Sequence, residues 1–599
     1  MKLCKNSDKR VYTYLKIAIQ LFTSFVWILC LADTNSYYSV YLLCAFLGAF
    51  CFADNYRNNR KAAKLQGLVM GLFSGIISVA TVAANYNLFF PLDSSNILNI
   101  PLCLLGGFFV FWNIIVYLCN ALPVSCDCSK IAEQRNHPLR FFLVSFGIIA
   151  VIDLVYLVLY TLPGVVSVDS LHQLNQVVTN TYTNHHPFWH TINIKIIVEI
   201  GLALFGNINA AITLYTVLSV LFMAMCFSYA MVTLYQSGVP RIGIIIPFVF
   251  YALVPYNVAF SVTMLKDIPF AGVALVFVVA VFRLFKRTGQ RVWIDYIMLV
   301  GSCLGFCLWR SNGRYAILAT VVIFAIVLRK RFISVTGIVA GVLVISWILQ
   351  GPVLAVMNIK QTQYAEAFSI PAQQIARVIT AGCPLTDDEE ELLSNIMDVD
   401  EIPQLYKEYI SDPVKAEIAE TGDDYLREHK VEFLKLWIQL GLKYPQHYAA
   451  AYVEQTKGYW NGGYDYLVYS TIVHENDLGI VENPDSTIGR MAANLYFWGF
   501  DKQAFCQPLQ SIGLHVWILL AVLVINLLKK REEALLTIPV IMVIATLLIA
   551  TPVFSEFRYA YSVFTTLPFI GAVTVFSCSA KKVKTTDIQN VKEEDSPHE

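Results

Sequence analysis

The chain alternates long apolar runs with short polar loops, interrupted by one long hydrophilic stretch. Five runs come first, at 11–31, 37–53, 66–85, 100–121 and 140–162. Six more lie at 210–235, 241–258, 268–286, 293–309, 315–328 and 333–350, and three close the chain at 511–528, 533–551 and 560–578. About 20 apolar helical residues cross roughly 30 Å of hydrocarbon, so the pattern predicts an all-α polytopic membrane protein with about 14 transmembrane helices. Residues 11–30 make a full-length span with no small-residue cleavage site after it, and read as a retained first helix.

One run, 189–205, is of borderline length, and charge decides how to read it. Lys2, Lys5, Lys9 and Arg10 precede the first span, Arg57, Arg60, Lys61 and Lys64 follow the second, and Lys130, Arg135 and Arg140 precede the fifth. The loops near Asp33 and at 85–95 have neither Lys nor Arg. Basic loops stay cytoplasmic, which puts the loop after the fifth span outside. If 189–205 crossed, Arg283, Lys286, Arg287 and Arg291, then Arg329, Lys330 and Arg331, then Lys529, Lys530 and Arg531 would all face outside. If it lies along the membrane surface, all three clusters return to the cytoplasm. Lys195 and Glu199, spaced i,i+4, give such an interfacial helix a polar face. The expected protein is an integral, multi-pass plasma-membrane protein with both termini cytoplasmic.

The organisation follows. Residues 1–138 hold N-terminal transmembrane helices, and 139–350 a transmembrane core with a first outer loop at 163–209. Residues 351–508 form a mostly helical extracytoplasmic domain, 509–580 the C-terminal transmembrane helices, and 581–599 a charged cytoplasmic tail expected to be disordered. In the outer domain, SIPAQQIARVI, 425–441 and 444–459 have helical patterns, and Thr386 is placed to cap the acidic helix that follows it.

Only 14% of residues are charged, against about a quarter in soluble proteins. The basic residues sit in short loops rather than on one patch, which argues against nucleic acid as a partner. Most of the 14 cysteines fall in apolar runs, as small hydrophobes do. Cys126 and Cys128 form a C-x-C pair in a basic loop, and Cys383 and Cys506 could form a disulfide outside.

Candidate chemistry collects at the outer ends of the runs. The loop 164–187, GVVSVDSLHQLNQVVTNTYTNHHP, carries Asp169, His172, Gln173, His185 and His186, with His190 just beyond. Lys266 and Asp267 start the run at 268–286, WRSNGR carries Arg310, Asn312 and Arg314, and SEFRYAY carries Glu556 and Arg558. A charge at mid-bilayer would cost about 2.5–3.5 kcal/mol, whereas these residues can pair in a shared watery cavity. Asp169 and Asp267 could share a divalent cation (Mg, Mn or Zn) or activate a nucleophile. Forked arginine donors and the Lys266 ammonium suit a phosphate, and Gly313 lets the backbone approach closely. Phosphate, base and membrane together suggest transfer from a lipid-phosphate donor.

Each residue also has a plainer reading. Asp169 could cap a helix, Lys266–Asp267 and Glu556–Arg558 could be local ion pairs, and Arg310 and Arg314 interfacial anchors. His185, His186 and His190 could be surface hydrogen-bonding groups, Glu199 a structural residue, and Trp460 and Tyr464 mere packing.

The order of these features resembles a known superfamily. A span, an outer loop with an acid (PGVVSVDSLHQ), an HP-containing surface helix ending in LFG, and later a span whose outer end carries an acid (Lys266–Asp267) are similar to the GT-C membrane glycosyltransferases, the arnT-like and protein O-mannosyltransferase-like enzymes. The likeness covers roughly 140–350 and, more loosely, the C-terminal spans. The chain also resembles bacterial multi-pass proteins sharing RSNGR-like and FRYAY-like segments. The GT-C resemblance implies a polyprenyl-phosphate sugar donor among membrane lipids and an extracytoplasmic glycan, lipid or protein acceptor. It places Asp169 as general base and Asp267 as a second acid that holds metal or orients the site. Ser170 follows Asp169 where the superfamily carries an adjacent acid, and His185–His186 stand where it often carries Lys-Pro-Pro. Phosphate contacts then fall to Lys266, Arg310, Asn312, Arg314 and Arg558, and other substrate contacts to His172, Gln173, His185, His186 and Glu556. A transporter or flippase of a phosphate-bearing lipid or glycolipid would use the same cations. Repeated halves and broken helices, which such proteins often show, are not evident in the sequence.

Overall fold

Every predicted apolar run is helical in the computed structural model, which describes residues 2–32, 35–62, 64–89, 97–123, 128–286, 292–328, 333–482, 487–501 and 503–576. Cys126, Arg287, Arg291, Arg329, Lys330, Arg331 and the tail at 581–599 lie outside the described residues. Among the described residues there is no strand, only isolated backbone bridges. Ten helices are long and apolar enough to cross a membrane, or up to 12 if each of two bent pairs is one span. Val292–Leu308, Gly313–Val327 and Ala534–Ile549 are shorter apolar helices. The architecture is that of an all-α, multi-pass membrane protein.

The helix Asp267–Lys286 is apolar on every face between its charged ends, and such a helix belongs in the centre of a bundle. It is 89% buried and packs against Ile208–Gln236, Val292–Leu308 and Phe557–Phe576. The first four long helices build a separate core around Trp27, Tyr41 and Phe111, joined to the rest through Trp517 of Ile512–Leu528.

Two expectations change. The run at 241–258 is not one straight helix: Arg241–Leu253 bends by 55° into Pro255–Ser261. Pro255 lacks the N–H that would continue the ladder, and Asn257 Nδ2 satisfies the Phe250 carbonyl at 2.8 Å. A second bend, of 58°, separates Ala504–Gln510 from Ile512–Leu528, so broken helices are present after all. Cys383 and Cys506 do not form a disulfide.

The helix Phe188–Phe205 passes the length and composition test for a span, yet its contacts tie both ends to the hydrophilic insertion. Beside its start, Asn184 N–H donates to the Lys360 carbonyl at 2.8 Å. Beyond its end, Asn209 Nδ2 donates to the Gly479 carbonyl at 3.1 Å and Asn209 Oδ1 accepts from Val481 N–H at 3.0 Å. Phe205 itself lines a cleft with Leu162, Pro163 and Val481. The buried Ile194 and Val198 pack on Ala211, Ile212 and Tyr215, the first turns of the next helix. Lys195 and Glu199 form the expected i,i+4 pair at 3.6 Å on its open face.

Several basic residues of the short loops gather at the other end of the central helix, near Lys286. Arg135 caps the last carbonyls after Ile208–Gln236, donating to Tyr235 at 2.6 Å and Val239 at 2.7 Å. Arg283 pairs with Asp295 at 2.5 Å, Lys286 with Glu533 at 3.0 Å, and Lys529 donates to the Leu122 carbonyl at 2.8 Å.

The insertion has its own helical core, from Ala365 to Tyr448, with Ile375, Leu393, Ile418 and Leu436 at its centre. Thr386 caps Asp387–Ser394 in a capping box closed by Glu389. Residues 460–482 then run without regular structure across the bundle. There Tyr41 donates to Asn461 and Trp517 Nε1 to the Trp460 carbonyl at 3.0 Å, so YWNGGYDY straps the two helical cores together.

Candidate functional site

The site is assembled by a backbone zipper. Val165 N–H donates to the Val262 carbonyl at 2.9 Å, and Met264 N–H to the Val165 carbonyl at 3.0 Å. Gly164, at φ +133, makes this approach possible, because a Cβ there would overlap Thr216. On its other side, His474 N–H donates to the Val166 carbonyl at 3.0 Å. Ser167 then caps the helix Val168–Thr179, its Oγ accepting from Ser170 N–H at 3.4 Å, and the Ser170 hydroxyl donates to the Met264 carbonyl. Asp169 is therefore not the cap. It sits in the first turn, where the helix dipole favours a carboxylate.

The zipper brings Lys266 and Asp267 beside this turn, and the two point in different directions. Lys266 Nζ lies 2.8 Å from Asp169 Oδ2. Arg558 Nη1 reaches the same oxygen at 2.9 Å, while its Nε holds Glu556 Oε2 at 2.5 Å. Asp267 instead opens the central helix and is fully buried, with Arg310 Nη1 2.8 Å from its Oδ1. That contact is a charge pair rather than a directed hydrogen bond, since Nη1 donates to the Tyr559 carbonyl at 3.2 Å. Tyr559 stands between the arginines: the Arg310 guanidinium is 4.7 Å and that of Arg558 5.0 Å from its ring centroid.

Histidines form the rim. His186 is buried, and its Nδ1 is 3.3 Å from Lys266 Nζ. An ammonium has no lone pair to give, so Nδ1 accepts and the ring hydrogen sits on Nε2, which has no partner among the described residues. Burial and Lys266 push the His186 pKa down to about 2, against a smaller opposing pull from Asp169. Burial would raise the Asp169 carboxyl, but Lys266 and Arg558 outweigh it and hold the group well below the usual range. His172 and His185 are exposed, with ring centroids 6.0 and 4.8 Å from that of His186. Partial desolvation among the rim groups lowers His185 as well, although the residue keeps an exposed side, and its Nδ1 lies 3.4 Å from Thr362 Oγ1 in the insertion.

Other candidates lie outside this cluster. Gln173 is locked in a buried chain, bonding His190 at 3.1 Å and Thr191 at 2.8 Å, with Tyr215 closing on His190 at 3.2 Å. Asn312 donates to Thr546 at 3.0 Å and Arg314 to Gln350 at 2.8 Å. Gly313 serves its tight turn, since a Cβ would overlap the Phe306 carbonyl.

Two contributors were missed in the sequence. One is Tyr559, adjacent to Arg558 in FRYAY. The other is Lys415, buried in the insertion, which holds Glu366 at 2.7 Å, Asp412 at 2.9 Å and the Pro552 carbonyl at 2.6 Å. With Ser411 on the Val553 carbonyl at 3.0 Å and Tyr459 on that of Phe554 at 3.1 Å, it clamps the loop that delivers Glu556 and Arg558. A buried lysine more than a hundred residues away leaves no local signal of that role.

Among the described residues no three His, Cys, Asp or Glu side chains converge on one point. Asp169, Asp267 and Glu556 are each matched by a cation that a metal would have to expel. Three carboxylates facing three cations make instead a charge-balanced site with half-open edges.

A family of unknown function (DUF6020) matches residues 172–589. The chain belongs to this family. The matched stretch contains WRSNGR, SEFRYAY, Lys266–Asp267 and the insertion, and it begins three residues after Asp169. Neither curated proteins nor solved structures give a match to the chain.

Proposed function

We propose that this DUF6020 chain is a membrane glycosyltransferase that moves a sugar from a polyprenyl-phosphate donor to an acceptor hydroxyl outside the membrane. The observation that supports it most is a first-turn carboxylate shared by two half-open cations, Lys266 and Arg558, in the loop where the GT-C resemblance expects a base. On this reading the donor phosphate sits against Lys266 and Arg558. Asp169 accepts the acceptor's hydroxyl proton as that oxygen bonds to the anomeric carbon. The bond from the anomeric carbon to the phosphate oxygen breaks with inversion, and polyprenyl phosphate leaves with the electron pair, its charge stabilised by the two cations. Arg310 and Asp267 form the floor beneath them, and no step is routed through a metal.

Topology is part of the proposal. The basic end of the bundle is read as cytoplasmic, so the site and the insertion face outside, with about 14 spans and both termini inside the plasma membrane. The two bent helix pairs favour a second reading, a flippase for a phosphate-bearing lipid or glycolipid.

Purified protein in proteoliposomes, given radiolabelled polyprenyl-phosphate sugar and candidate acceptors, separates the two. Transfer of label to an acceptor, lost by about a hundredfold or more in Asp169→Asn, supports the enzyme. Lipid movement without transfer supports the flippase, and a fully active Asp169→Asn removes the catalytic assignment.

A further inference from the structure

Lys266 and Arg558 converge on a single oxygen, Asp169 Oδ2, at 2.8 and 2.9 Å. Two cations gripping one oxygen is how a protein holds a phosphate oxygen. Their openness separates them from the neighbouring pair: the Lys266 and Arg558 side chains are 13% and 20% exposed, against 7% and 0% for Arg310 and Asp267. A ligand can reach the first pair and not the second. Of the other Arg558 nitrogens, Nε donates to Glu556 at 2.5 Å and Nη2 gives one of its two hydrogens to the Tyr559 hydroxyl at 3.3 Å. Nη1 and the Lys266 ammonium are the groups that an incoming anion would take. Beside them the buried His186 Nε2–H has no partner among the described residues, a further donor at the same edge.

We propose that Lys266 and Arg558 form a binding site for a phosphate monoester or diester anion, and that the Asp169 carboxylate occupies it as a resident competitor until the ligand arrives. The inference uses the transfer reading only to say what Asp169 does once released. Held by both cations, Asp169 is a poor proton acceptor. When a phosphate takes Lys266 and Arg558 for itself, the carboxylate is freed to act on the acceptor. Donor binding would then arm the base, and an empty site would stay unreactive toward water.

The consequence has an unusual sign. A carboxylate that helps to hold a bridging metal gives weaker ligand binding when neutralised in a well-folded protein. A competitor gives tighter binding when removed, by the factor through which it had lowered the competent fraction.

The test measures binding of two probes, a polyprenyl phosphate in nanodiscs and soluble inorganic phosphate, to wild type, Asp169→Asn, Lys266→Met and Arg558→Gln. Asp169→Asn is expected to bind at least one probe about tenfold tighter, and the two cation variants to bind it about tenfold more weakly or not at all. Tightening for both probes means that the phosphate alone is read, and tightening for the lipid alone makes the membrane its source. A gain in affinity cannot come from misfolding, which keeps the result interpretable if a cation variant is unstable. Unchanged or weaker binding by Asp169→Asn, or no binding of either probe by any form, overturns the inference. Tightening without sugar transfer by wild type would leave the competitor standing and remove the glycosyltransferase. Transfer without tightening would do the reverse.

Discussion

At the residue scale, two kinds of charge meet in this site and respond differently to substitution. Asp267 and Arg310 are sealed in the bundle, so neutralising Asp267 strands a buried guanidinium. Asp267→Asn should lower stability by about 3–5 kcal/mol, and Asp267→Asn with Arg310→Met should recover much of it, as thermal unfolding in detergent will read. Full stability in the single variant would mean that the pair is not closed as described. His186 gives a pH dependence. Its folded pKa, about 2, lies below the ordinary histidine value near 6.5. Between these values the unfolded chain binds the extra proton, so stability is complete above about pH 6.5 and falls as pH drops. The melting temperature should decline from pH 7 to 5, with His186 contributing up to about 1.4 kcal/mol per pH unit. His186→Gln should reduce that decline, leaving the parts that His190, pushed down by burial to about 3, and His185 contribute with the same sign; an unchanged slope would place His186 in water. Which residues bore charge was legible in the sequence, but their partners were not. Asn312 and Arg314 flank the same glycine turn as Arg310, yet Thr546 and Gln350 claim them. Direction around a helix end is set by neighbours far along the chain.

At the element scale, apolar run length located the helices because bilayer thickness imposes it. The bend at Val254–Pro255 had a sequence signal, since proline disfavours helix at the residue before it, but an apolar run hides such a break. The insertion was legible as mostly helical, and its task was not. Its helices position a loop at the far end of the chain: Lys415, Ser411 and Tyr459 hold 552–554, and Arg558 follows four residues later. Lys415→Met should leave the bundle folded, because Glu366 and Asp412 remain 30% and 53% exposed and keep their hydration. Transfer should fall by about ten- to a hundredfold through misplacement of Arg558. Wild-type rates in that variant would make the insertion a cover rather than a clamp.

At the scale of the whole molecule, the account depends on one packing decision. If Phe188–Phe205 rests against the insertion at both ends, then Asp169, Lys266, Arg310 and Arg558 share a face and the basic loops share the other. The hydrogen bonds of Asn184 and Asn209 to the insertion are what hold it there. The most direct measurement is side-specific labelling of single cysteines at Asn180, Asn207 and Asn58, exposed positions before the helix, after it and at the basic end, in a cysteine-free background. Asn180 and Asn207 should react with an impermeant maleimide from the same side of the membrane, and Asn58 only from the other. Labelling of Asn180 and Asn207 from opposite sides would make the helix a crossing and take apart the charged site built around it.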